Sequence, residues 1–74
     1  MNHQEAALRE EVRLLAEEAF HRKLISGYGD GPTKNEYQIV LKGKPRHLPL
    51  KRARTFLDTL ILRNRVNEVS SITS

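Results

Sequence analysis

Residues 36–54 read EYQIVLKGKPRHLPLKRAR, and the fold turns on how this stretch divides. Tyr37, Ile39 and Leu41 alternate with Glu36, Gln38, Val40 and Lys42. A period of two marks a half-buried strand, and Tyr, Ile and Val suit a pleated surface. Lys42-Gly43-Lys44-Pro45 breaks the alternation, because Gly supplies a positive φ and Pro a fixed one. A return strand follows, with Arg46, Leu48 and Leu50 on one side and His47 and Pro49 on the other. Proline cannot donate to a ladder, so its nitrogen must point away from the partner strand. Pairing Leu41 with Arg46, Ile39 with Leu48 and Tyr37 with Leu50 meets that condition for Pro45 and Pro49. It makes residues 42–45 the loop and puts the five apolar side chains on one face. The second strand is then a blunted edge, while the far edge of the first strand stays open.

Upstream, Asn2 can cap a helix, with Glu5 three residues on. Leu8, Val12, Leu15, Ala16 and Ala19 recur at helical spacing and form one apolar stripe. Phe20, Leu24 and Ile25 widen it, and Gly27 is a natural terminator, so the spacing predicts a helix over 3–25. Residues 26–35, SGYGDGPTKN, read as a loop. Its alternating glycines do not make a phosphate loop, which must follow a strand and open a helix. Downstream, Ala53, Phe56, Leu57, Leu60, Ile61 and Asn64 follow helical spacing, which predicts a second helix over 50–66. Residues 67–74, NEVSSITS, are polar and aperiodic and read as a flexible tail.

The expected order is therefore α-β-β-α, a single small α+β domain over residues 1–66. Two helices should cover one face of a two-stranded hairpin, since a bare hairpin is marginal in water. With 74 residues and no cysteine, the chain has a small core and no disulfide to staple it. A homodimer through the open edge of residues 36–42 would extend the sheet to four strands around a two-fold axis. Leu14, Val40, Leu62 and Val66 fall off the apolar stripes and are the candidate dimer or partner interface.

Charge is divided unevenly along the chain. Residues 1–41 carry five Lys/Arg against seven Asp/Glu, and residues 42–74 carry eight against two. Between Lys42 and Arg54 there are six basic residues and no acid. Such asymmetry points to an anionic partner, nucleic acid first among them. The first turn of the second helix sharpens this. Lys51, Arg52 and Arg54 sit at the positive end of the helix dipole, where each cation costs about 0.3–1 kcal/mol. A bound anion would offset that.

The candidate nucleic-acid or anion-binding residues are Lys42, Lys44, Arg46, His47, Lys51, Arg52 and Arg54. Lysine and arginine on phosphate carry no base code. Six such contacts would lower affinity roughly 10³-fold between 50 and 200 mM salt. The alternative is a small regulatory or protein-interaction subunit, docking on an acidic protein surface or adding a strand to a partner's sheet.

Enzymatic chemistry is not expected. His3, His21 and His47 have no recognised metal spacing. Glu18-x-x-His21 is half of a di-iron helix motif without the further inward glutamates such a site needs. No cofactor, metal or membrane contact is expected, and the absence of cysteine, signal peptide and apolar span points to a cytoplasmic protein.

Overall fold

A computed structural model describes residues 3–73, with side chains described over residues 4–66. The elements are α1 (His3–His21), β1 (Gly27–Asp30), β2 (Glu36–Leu41), β3 (Lys44–Pro49) and α2 (Leu50–Thr73). The class is α+β, as the sequence predicts, but the order is α-β-β-β-α. The sheet is antiparallel, in the order β1-β2-β3.

The central hairpin is tighter than the prolines suggest. Leu41 faces Lys44 across a two-residue turn, Ile39 faces Arg46 and Tyr37 faces Leu48. Lys42 and Gly43 both take positive φ, 52° and 79°. That is the turn whose twist matches two flanking strands, though Asn-Gly is its usual sequence. The expected pairing was thus displaced by two residues and the expected loop was too long. Closing the turn at Lys44, which has an N–H, removes the need for one at Pro45. The displacement leaves every side chain on its expected face, because the period of a strand is two. Pro45 and Pro49 lie opposite Val40 and Glu36. With the turn closed by Leu41 and Lys44, these are the pairs that exchange no backbone hydrogen bond, so the prolines lose nothing. Leu50 belongs to α2 and not to the strand.

The larger correction is β1. The stretch GYGD pairs with β2, with Gly27 opposite Val40, Tyr28 opposite Ile39, Gly29 opposite Gln38 and Asp30 opposite Tyr37. The edge of β2 that the sequence leaves open is therefore filled by the chain itself. A dimer through residues 36–42, with its four-stranded sheet, has no edge to use.

Helix α1 stops earlier than expected, and Gly27 does not stop it. Lys23 adopts φ 64°. Its N–H donates to the Phe20 carbonyl (2.9 Å), and that of Leu24 donates to the Ala19 carbonyl (2.8 Å). This is the paired hydrogen bonding of a left-handed helix cap, with lysine where glycine is usual. The early stop frees residues 24–30 to turn back and form β1. Helix α2 begins without a linker, where the Leu50 N–H donates to the Asn35 carbonyl (2.9 Å). Its backbone continues to Thr73, past the expected end at Val66. The predicted tail over 67–74 has its side chains outside the described residues.

Both helices cover one face of the sheet. The core consists of Val12, Ala16 and Ala19 from α1, Ile25, Tyr37 and Ile39, and Leu50, Ala53, Leu57 and Ile61 from α2. Alanine at three of these positions lets the helix axes approach the sheet and each other closely. Ile39 and Leu57 are fully buried, each worth about 1.5–3 kcal/mol relative to exposure. Ion pairs run from Glu11 to Arg54 and from Glu18 to Arg65, both 3.3 Å. Sequence number rises along both helices from one pair to the next, so α1 and α2 run in the same direction. The other face of the sheet carries Gly27, Gly29, Glu36, Gln38, Val40, Pro45, His47 and Pro49 and has no helix over it.

Candidate nucleic-acid interface

The seven basic candidates do not form one patch. Lys44 and Arg46 lie on the helix side of β3, since they pair with Leu41 and Ile39, and both are exposed. β3 is an outer strand, so these side chains flank the seam between the sheet and α2. Lys51 and Arg52 continue the seam from the helix. With Leu48, Thr55 and half-buried Phe56 they line a shallow groove. Lys42 occupies the turn at the opposite end of β3. These five cations make a strip along β3 and the start of α2. None of them has a carboxylate within ion-pair distance among the described residues.

The other two candidates leave the strip. His47 is on the bare face of the sheet, where its Nε2 lies 2.9 Å from Oε1 of Gln38 on the neighbouring strand. Strand alternation separates it from Arg46 by the thickness of the sheet. Arg54 turns toward α1 and donates to Glu11 (3.3 Å).

A further exposed cation, Lys34, lines a different recess, with Glu5, Ala6 and Arg9 of α1. Lys34 precedes Asn35, whose carbonyl is tied to the first N–H of α2. That bond brings the end of the β1–β2 loop to the start of α2. Nothing in the sequence signals this, because the bond joins residues far apart in the chain.

The four apolar interface candidates also separate. Leu14, Leu62 and Val66 are on the helices and are exposed, 51%, 62% and 55% respectively. Val40 lies on the bare sheet face, half-buried, beside Gly27 on β1. Phe20, a further exposed aromatic, stacks edge-on against Tyr28 at 5.7 Å.

Elsewhere some charges are satisfied locally. Arg9 holds Asp30 at 2.8 Å, fastening α1 to β1. Arg13 holds Glu10 at 2.7 Å, and this hydrogen bond keeps the Glu10 carboxyl below its ordinary pKa. Tyr37 titrates above its ordinary value, first because it is buried and second because Asp30 is near. No group of three or more potential metal ligands occurs among the described residues. No described helix is long and apolar enough to cross a membrane. The chain matches no protein-family model, and no curated protein or solved structure is detectably similar to it.

Proposed function

We propose that this domain binds nucleic acid by its phosphate backbone, using Lys42, Lys44, Arg46, Lys51 and Arg52. The supporting observation is a run of cations on contiguous elements that accounts for five of the eight Lys/Arg holding no carboxylate among the described residues. Arg9, Arg13, Arg22, Arg54 and Arg65 each hold a carboxylate. The five cations of the strip hold none among the described residues and are all exposed. Two of them also occupy the first turn of α2, which has no acid, so their charge adds to that of the helix dipole.

The chemistry favours a duplex over a single strand. Single-strand binders stack bases on exposed aromatic rings, and the only ring on this strip, Phe56, is half-buried among the described residues. Lysine and arginine on phosphate predict little sequence preference.

The test is fluorescence anisotropy with labelled duplex DNA, duplex RNA and single-stranded RNA of mixed sequence. Binding is expected at low salt and should weaken roughly 500-fold between 50 and 200 mM for five phosphate contacts. Arg46→Glu with Arg52→Glu should remove it, while His47→Ala should leave it nearly unchanged. No binding to any of the three at low salt overturns the proposal.

The second reading is a docking module for an acidic protein surface, using the same strip. It is favoured by half-buried Leu48 and Phe56 in the groove beside Lys51 and Arg52, apolar groups that suit a protein neighbour better than a phosphate backbone. Addition of a strand to β2 is not part of this reading, since β1 fills that edge.

A further inference from the structure

The outer surface of the helical layer is built differently from the basic strip. On α1, Glu11, Leu14 and Glu18 lie three and four residues apart and share one face. On α2, Arg54, Asp58, Leu62, Arg65 and Val66 do the same. The Glu11–Arg54 and Glu18–Arg65 pairs join the two faces, and Leu14 and Leu62 fall between them. Leu14 on the mainly acidic row and Leu62 and Val66 on the mainly basic row are each more than half exposed. Three such side chains on one helical layer, set among charged residues, suit an interaction site better than a single exposed leucine does.

We propose that a second copy of this chain covers this surface, related by a two-fold axis parallel to the helices. The argument is charge self-complementarity. Rotation about that axis lays α1 of one copy over α2 of the other. Each acidic row then meets the other copy's arginines, so Glu11, which holds Arg54, gains a second cation and Glu18, which holds Arg22 and Arg65, gains a third. Asp58 is the only carboxylate on the α2 row among the described residues. A two-fold axis perpendicular to the helices would instead set α1 against α1, acid against acid. The parallel arrangement also places Leu14 of each copy against the Leu62 region of the other. The contact is isologous and closes at two copies. A chain this small, with no disulfide, is of the size that commonly needs a partner for stability.

The chain contains no cysteine, which allows a direct geometric test. Leu14→Cys and Leu62→Cys proteins are treated with a short bis-maleimide, alone and mixed. The proposal expects covalent dimers in the mixture and none from either protein alone. A Leu14→Cys dimer formed by itself, or no crosslink in the mixture, overturns it. Sedimentation equilibrium of the unmodified chain should show a dimer, and Leu62→Glu should weaken association at least about 30-fold, as for a central interface residue. Circular dichroism confirms that this variant keeps its fold. A monomer at the highest soluble concentration, or a dimer indifferent to Leu62→Glu, also overturns the proposal. Nucleic-acid binding by the strip is read separately, so neither result stands for the other.

Discussion

Lys23 shows how one backbone angle can direct a chain. A left-handed conformation costs a non-glycine residue about 1–2 kcal/mol, yet Lys23 adopts it at φ 64° and so ends α1 in time for β1 to form. Lys23→Gly relieves that strain but loosens the unfolded chain, and the net expectation is a gain of roughly 0.5–1 kcal/mol. Urea denaturation would read it, and a loss of stability would contradict the assignment of the cap. Tyr37 carries a different kind of residue-scale effect. Its hydroxyl ionises at a higher pH in the folded chain than its ordinary value of 10.0. Below about pH 10 both states keep the proton, so the contribution to stability is full. Above it the unfolded chain releases the proton first, and stability falls as pH rises toward the folded pKa. Denaturation midpoints of the wild type and Tyr37→Phe should therefore differ by a constant amount up to about pH 9.5 and turn against the wild type above it. Parallel curves up to pH 11 would show that Tyr37 titrates alike in both states.

At the scale of elements, β1 is the strand that local pattern hides. Two of its four residues are glycine, so it has neither alternation nor strand propensity, and its stability comes from β2 and from the Arg9–Asp30 pair. Its glycines are not equivalent to the one that follows. A Cβ at Gly29 would meet nothing within 4 Å, whereas one at Gly31 would lie 2.9 Å from the Glu36 backbone. Gly29→Thr should stabilise the fold by up to about 1 kcal/mol, since strand propensities span that range. Gly31→Ala should destabilise it by about 1–3 kcal/mol, as overpacking does. Thermal unfolding of the two variants should move in opposite directions, and a shift of the same sign in both would refute the pairing of β1.

At the scale of the molecule, stability and the proposed function place opposite demands on the start of α2. Lys51→Glu with Arg52→Glu takes the net charge from +4 to 0 and replaces two unfavourable dipole contacts with favourable ones. Each reversal should stabilise the fold by a few tenths of a kcal/mol to about 1 kcal/mol at low salt. The same variant should lose nucleic-acid binding. A melting temperature that rises while anisotropy binding disappears would be the signature of cations kept for a ligand. A variant that melts lower would mean that Lys51 and Arg52 support the fold itself.

Several features needed only the order of residues. The period of two in 36–41 assigned each strand residue to a face, and that survived a two-residue displacement of the pairing because both registers share the period. Helical spacing identified Val12, Ala16, Ala19, Ala53, Leu57 and Ile61 as core, and all six are buried. The division of charge between the two halves is likewise a property of sequence. Tertiary structure decided the rest. It joined GYGD to β2 and so closed the edge on which a sheet-extending dimer depended. It drew Arg54 to Glu11 and set His47 against Gln38, which reduced seven candidate cations to a strip of five. It also left Leu14 and Leu62 exposed on the helical layer and put Val40 on the bare face of the sheet. The physical reason is common to all of these. Periodicity reports which side of its own element a residue faces, while the identity of the neighbour on that side depends on contacts between residues far apart in the chain.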